Sequence, residues 1–280
     1  MIAFPNAKVN LGLNIVSKRP DGFHNLETVF APIPFSDVLE IVPTKGETTF
    51  RQSGIIVDTC PNDNLCMKAY YLLKKDFPQL GNVEIWLHKV IPFGAGLGGG
   101  SSDASSTLLL LNQLFELNLS DKKLQAYAST LGSDCAFFIK NQSVFAKGKG
   151  DEFEEITLDI SSYYWVVIKP SFSISTPEAY AGITPKTPKI PLKDIIKLPV
   201  SEWKDKLEND FENHLFAKYS ELAIFKEKLY KSGAMYASMS GSGSALFGIY
   251  KSLDEREISK HFPSCKLYHK NEKLIALLSN

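Results

Sequence analysis

The sequence predicts an α+β protein of two domains, 1–155 and 156–280, from three observations. The first half alternates apolar-periodic strands with helices. The second half runs strand, helices, paired strands, helix, strand, which suggests an α+β sandwich. The chain has 280 residues, 44% hydrophobic and 22% charged, enough to build one large core or two ordinary ones.

The elements follow in order. Over 8–16, Val9, Leu11, Leu13 and Ile15 alternate with Asn10, Gly12 and Asn14, the period of a half-buried strand. Lys18-Arg19-Pro20-Asp21-Gly22 is turn chemistry, and 26–33 and 37–42 read as further strands. Leu65, Ala69, Leu72 and Leu73 share one face of a helix over 64–77. A strand over 83–90 leads into a glycine-rich loop, then into an apolar helix over about 102–117. A helix over 121–131 has Ser120 placed to cap it. A strongly apolar strand over 163–168 ends before Pro170. The stretch 184–199 carries Pro185, Pro188, Pro191 and Pro199 and reads as irregular. Helices are expected over 202–219 and 221–232, strands over 235–239 and 245–250, a helix over 254–261, and a strand near 266–269.

Lys plus Arg and Asp plus Glu number 31 each. This zero balance argues against a nonspecific nucleic-acid binder, which gains affinity by neutralising phosphates. Cys60, Cys66, Cys135 and Cys265 form no C-x-x-C pair, and there is no H-E-x-x-H, so neither structural zinc nor a disulfide framework is expected. The first residues lack a charged segment followed by a long apolar run. The most apolar helix-length window, 108–119, is broken by Asn112, Gln113 and Glu116. The expectation is a reduced, cytoplasmic protein with no nucleic-acid, membrane or obligate protein partner.

The most informative segment is Ile91-Pro92-Phe93-Gly94-Ala95-Gly96-Leu97-Gly98-Gly99-Gly100-Ser101-Ser102-Asp103-Ala104, with five glycines in seven positions. Glycines let main-chain N–H groups approach a ligand. The helix that follows has free N–H groups at its start and a dipole that favours an anion. Three readings compete. A capped connector does not need five glycines. Gly94, Gly96 and Gly99 match G-x-G-x-x-G, but no second strand follows with its terminal acid about 20 positions on. A nucleoside-triphosphate loop outside the Walker type, since G-K-[ST] is absent, fits best.

Residues 92–104 resemble the glycine loop of the GHMP kinases, which phosphorylate small molecules such as galactose, homoserine, mevalonate and phosphomevalonate. Three other segments carry the resemblance in the right order: Ala7-Lys8-Val9-Asn10-Leu11 with the turn 18–24, Leu131-Gly132-Ser133-Asp134-Cys135-Ala136-Phe137-Phe138, and Met239-Ser240-Gly241-Ser242-Gly243-Ser244-Ala245-Leu246-Phe247-Gly248. The run Gly-Leu-Gly-Gly-Gly-Ser-Ser-Asp-Ala is similar to that of the family's isoprenoid-precursor branch, whose acceptor is a cytidine diphosphate-linked alcohol. The resemblance implies a two-domain GHMP-kinase-like fold with mixed sheets and helices. It also implies an ATP-binding N-terminal domain, a substrate-binding C-terminal domain, and an active site in the cleft between them. ATP with Mg2+ is the implied co-substrate, and the acceptor is the tertiary 2-hydroxyl of that alcohol.

Transferring a γ-phosphoryl to an alcohol needs an in-line hydroxyl, neutralisation of phosphate charge and a place for the hydroxyl proton. Asp134, at a turn between a helix and the apolar run 135–139, is the candidate base. An ammonium at Lys8 would keep that carboxylate ionised and stabilise developing charge. The resemblance implies the same two roles. Asn10, two residues on and on the same strand face, is a candidate to orient the hydroxyl. Pro92, Gly94, Ala95, Gly96, Leu97, Gly98, Gly99, Gly100, Ser101 and Ser102 are the phosphate-side candidates, and Ser102 is also the candidate metal contact. By the resemblance, Asn64 and Lys89 lie near adenine. Phe23 and His24 stand where the branch has Tyr-His for cytidine, and Tyr180 stacks the other cytosine face. Thr176, Gly241 and Ser242 complete the substrate-side set. Two alternatives stay open: a GHMP kinase for another alcohol, such as homoserine or mevalonate, and an inactive nucleotide-binding module. The aromatic residues argue against the first, and the retained Lys8 and Asp134 against the second.

Overall fold

The computed structural model describes residues 1–56, 63–263, 265–270 and 274–279, the last two stretches by backbone alone. Cys60 and the side chain of Cys265 lie outside the described residues, while Cys66 and Cys135 are buried free thiols. The chain forms two compact units. One comprises Met1–Ala7, Ser36–Phe93 and Gly98–Gln142; the other comprises Lys8–Phe35, Gly94–Leu97 and Ser143–Asn280. This differs from a single cut near residue 155. The long strands β2 (Asn6–Lys18) and β3 (His24–Ser36) join a sheet with β7 (Val144–Lys147) and β8 (Glu152–Glu155), in the order β2-β3-β7-β8. That hydrogen bonding holds residues 8–35 with the C-terminal half.

The first unit is built on a four-stranded sheet ordered β1 (Ile2–Ala3), β4 (Val38–Thr44), β6 (Asn82–Lys89), β5 (Thr49–Gly54). It is antiparallel except for the parallel β5–β6 pair. Strand β6 alternates buried and more exposed residues, as a sheet with one covered face requires. Helices α1 (Leu65–Asp76), α2 (Gly99–Leu114), α3 (Asp121–Leu131) and α4 (Cys135–Lys140) pack on one another, and α2 also packs on β4. Asn64 caps α1 by accepting from the Cys66 amide. Ser120 occupies the cap position of α3 but makes no side-chain cap bond. The apolar run after Asp134 is itself the short helix α4. Strands β1 and β5 are absent from the sequence reading because neither carries an apolar alternation.

The second unit holds the sheet containing β2 together with a mixed sheet. Its order is β10 (Tyr236–Met239), β11 (Leu246–Tyr250), β9 (Tyr164–Lys169), β13 (Leu274–Ser279), β12 (Cys265–Lys270), with β13 parallel to β9. Helices α5 (Thr176–Ala181), α6 (Leu192–Ile195), α7 (Asp210–Lys218), α8 (Ser220–Lys231) and α9 (Glu255–His261) accompany it. Leu13, Ile15, Val166, Ile168, Leu215, Leu222, Leu229 and Leu246 belong to one buried cluster. Two expectations are corrected here. Strand β2 is buried on both faces from Ala7 to Ile15, because Leu192 and Leu207 close over Gly12 on the polar row. The helix expected over 202–219 starts later: a 3-10 turn at Val200–Glu202 is followed by irregular chain, and α7 begins at Asp210, capped by Asn209, which accepts from the Phe211 amide. Among the described residues, no helix is long and apolar enough to cross a membrane.

Candidate active site

Lys8 lies near the start of β2 and is only 3% exposed. A buried ammonium needs hydrogen-bond acceptors. Its Nζ donates to Asn10 Oδ1 at 2.7 Å and sits 4.6 Å above the Phe30 ring. Asn10 Nδ2 donates to Thr28 Oγ1 at 3.0 Å, and Thr28 Oγ1 donates to the Gly12 carbonyl at 2.5 Å. The pattern that placed Lys8 and Asn10 on one strand face therefore ends in a buried chain of bonds that fixes the ammonium. Thr28 is the link missing from the sequence reading.

The glycine segment bends through left-handed conformations at Gly94, Gly96 and Gly98, with φ of 61°, 76° and 71°. Within the second unit, Gly94–Leu97 meets the turn 240–244. Ser240 Oγ donates to the Gly96 carbonyl at 2.8 Å, and the Ala245 amide donates to the Ala95 carbonyl at 3.2 Å. The Lys8 amide donates to the Leu97 carbonyl at 2.9 Å. A Cβ on Gly96 would stand 2.0 Å from the Ser240 carbonyl oxygen. Gly241 and Ser242 thus belong to a turn packed on the first glycine segment. Asn209 holds that turn by donating to the carbonyls of Met239 at 2.8 Å and Gly241 at 2.9 Å. Its role escaped the sequence reading because it was placed inside an apparent helix. Gly96→Ala is expected to destabilise the protein by at least about 1–3 kcal/mol, from the left-handed backbone alone. Urea melts measure this, and an unchanged midpoint would contradict the close approach of the two turns.

In the first unit, Gly98 is the N-cap residue of α2, and no side chain caps the helix. Ser101 and Ser102 sit in its first turns, Ser102 being 1% exposed. Ser105 Oγ, one turn further along α2, donates to the Cys135 carbonyl at 2.7 Å. This bond anchors the Asp134 turn to the glycine-loop helix. Asp134 is partly buried, as expected, and occupies the N-cap position of α4 without a side-chain cap bond. Burial pushes the neighbouring Cys135 thiol up to about 11, with the Ser101 hydroxyl pulling the other way, so it is unreactive at neutral pH.

Asn64, Lys89 and Gly100 line a pocket of about 250 Å³, together with Leu65, Leu87 and Phe93. Lys89 does not offer a free ammonium there. It is buried and donates to Asp37 Oδ2 at 2.5 Å and to Asp103 Oδ2 at 2.8 Å. Burial pulls its pKa down, but the two carboxylates outweigh this and hold it above the ordinary value. Asp103 is raised by burial and by the charge of Asp37, against the pull of Lys89. Neither acid is among the candidate residues that the motifs single out. Asp103 ends the Gly-Ser-Ser-Asp run, which was its only signal.

On the substrate side, His24 and Tyr180 stack with ring centroids 4.9 Å apart and 23° between planes. Tyr180 also meets the edge of Phe211. Phe23 is exposed, with the Lys149 ammonium 5.0 Å from its ring centre. His24, rather than Phe23, is the ring stacked on Tyr180. Thr176 is exposed and opens α5, which Ser175 caps.

Comparison with known proteins bears on this arrangement. The family model described as GHMP kinases N terminal domain matches residues 64–142, and that described as GHMP kinases C terminal matches 192–266. The 4-diphosphocytidyl-2-C-methyl-D-erythritol kinase of Parabacteroides distasonis is 50% identical over 268 residues, covering 96% of this chain and 98% of that protein. The enzyme of the same name from Bacteroides fragilis is 51% identical over 263 residues, covering 93% and 95%. A crystal structure of 4-(cytidine 5'-diphospho)-2C-methyl-D-erythritol kinase, 32% identical, superposes with a TM-score of 0.79 over 94% of each chain. The chain therefore belongs to the GHMP kinase family of small-molecule kinases, alongside the 4-diphosphocytidyl-2-C-methyl-D-erythritol kinases.

Proposed function

We propose that this protein transfers the γ-phosphoryl group of ATP to the 2-hydroxyl of 4-diphosphocytidyl-2-C-methyl-D-erythritol, giving the 2-phosphate and ADP in isoprenoid-precursor synthesis. The observation that carries this reading is the 50% identity, over 96% of the chain, to a kinase named for that acceptor. In the proposed step the acceptor oxygen forms a bond to the γ-phosphorus. The bond from that phosphorus to the β,γ-bridging oxygen breaks, and the hydroxyl proton passes to Asp134. The transition state spreads negative charge over the phosphoryl oxygens. A buried, pre-positioned ammonium at Lys8 stabilises that charge without reorganising, and Asn10 holds the ammonium in place.

Gly94 to Ser102 supply main-chain N–H groups to the triphosphate, and Asn64 lines the pocket proposed for adenine. Mg2+ arrives with ATP. Among the described residues, no group of three or more His, Cys, Asp or Glu could hold a metal ion. Bound with ATP, the ion would be held mainly by phosphate oxygens and water, the usual pattern for it, with the Ser102 hydroxyl as the protein group that would contact it. His24, Tyr180 and Phe23 offer aromatic surface to cytosine.

Incubation with labelled ATP and a panel of alcohols tests the reading. Label should enter the cytidine diphosphate-linked polyol and not homoserine or mevalonate; preference for an acceptor without the base would overturn it. Stacking on an aromatic ring is worth about 1–3 kcal/mol per base. Tyr180→Leu, which keeps an apolar side chain against Phe211, should therefore raise the acceptor KM about tenfold while leaving the ATP KM unchanged.

A further inference from the structure

Asp37 is fully buried, and both of its oxygens are engaged. Oδ1 accepts from the amides of Val90 at 2.5 Å and Ile91 at 2.8 Å, the residues that lead into the glycine loop. Oδ2 accepts from the Lys89 ammonium, which also donates to Asp103 on the helix that leaves the loop. One buried cation therefore joins the stem before the loop to the helix after it. The two stems also touch: a Cβ on Gly99 would lie 2.8 Å from Ile91 Cγ2 and 3.2 Å from Lys89 Nζ.

A buried ion triad is a poor way to gain stability, because desolvation opposes the attraction and a well-packed apolar cluster does as well. Directional bonds do fix a separation between segments, which an apolar contact does not. A loop that binds phosphates through main-chain N–H groups depends on that separation, since small misplacements are costly at such sites. We propose that Asp37 and Asp103 are positioning residues for nucleotide binding, acting through Lys89 to set the spacing of the two stems of the glycine loop. The proposal rests on the kinase reading above.

Asp103→Ala cuts the arm to α2 and leaves Lys89 paired with Asp37. It should weaken ADP binding and raise the ATP KM about tenfold or more, with the acceptor KM changed less than about threefold. Asp103→Asn, which keeps an acceptor oxygen for Lys89, should restore ADP affinity to within about threefold of wild type. Calorimetry with ADP and steady-state rates read these values. Wild-type ADP affinity in Asp103→Ala, or an acceptor KM that rises in step with that for ATP, overturns the clasp. A second measurement needs no variant. In the wild-type protein without nucleotide, the Val90 and Ile91 amides should already be protected from hydrogen exchange, and exchange at open-loop rates overturns the clasp as well. Failure of the wild-type protein to bind ADP at all would instead remove the kinase reading and the clasp together.

Discussion

Asp134→Asn is expected to leave ADP binding intact and to lower turnover by roughly 10²–10⁴, the worth of a positioned general base. The substitution preserves shape and removes the basic oxygen. The side chain makes no cap bond to α4, so the helix loses no cap. The Ser105 bond to the Cys135 carbonyl is independent of the carboxylate, so the turn keeps its place on α2. The chemical change is the loss of the base. Without a base the acceptor hydroxyl must lose its proton to water, and the neutral amide cannot take it. Single-turnover rates with ATP and the cytidine diphosphate-linked alcohol, alongside ADP calorimetry, separate chemistry from binding. A variant that turns over at the wild-type rate removes Asp134 from the chemistry.

Lys89→Met should be the most destabilising single change in the first unit, by about 3–5 kcal/mol. Asp37 and Asp103 are 0% and 3% exposed, so removing the ammonium leaves two carboxylates together without a counter-charge. Asp103 Oδ1 already has no hydrogen-bond partner among the described residues, which leaves the site little capacity to adjust. Such a loss is a large part of the roughly 5–15 kcal/mol that holds a typical domain together. In an Asp103→Asn background the same lysine replacement should cost less, since one buried charge is already gone. Neighbours that share a network couple in this way. Urea unfolding of the four proteins measures the cycle. A loss below about 1 kcal/mol for Lys89→Met alone would mean that the carboxylates find other partners or water.

Much of the site was readable from local pattern. Five glycines before a helix start point to an anion by spacing alone, whereas Lys8 with Asn10 on one strand and Asp134 before an apolar run become candidates for chemistry only together with the family resemblance. Where the reading failed, the missing information was long-range. Asp37 meets Lys89 across 52 positions, and Asn209 meets Gly241 across 32, and nothing near either residue signals the partner. The resemblance sets Lys89 near adenine, and Lys89 does line the pocket beside Asn64, but no local pattern shows that its ammonium is engaged by Asp37 and Asp103. The alternation along β2 was read as one wet face, because a period of two reports which side each residue faces and not what later covers that side.

The sequence by itself determined most of the element types, the glycine-rich entry to α2 and which lysine and aspartate are the candidates for the proposed chemistry. These depend on neighbours within a few residues, where backbone preference and side-chain period act. Only the tertiary structure decided that β2 is buried on both faces, that Asn10 and Thr28 pin Lys8, that the two glycine turns interlock, and that one ammonium ties together the stems of the loop. Those outcomes depend on which distant segments meet, and desolvation then compels every buried charge and amide to find a partner there.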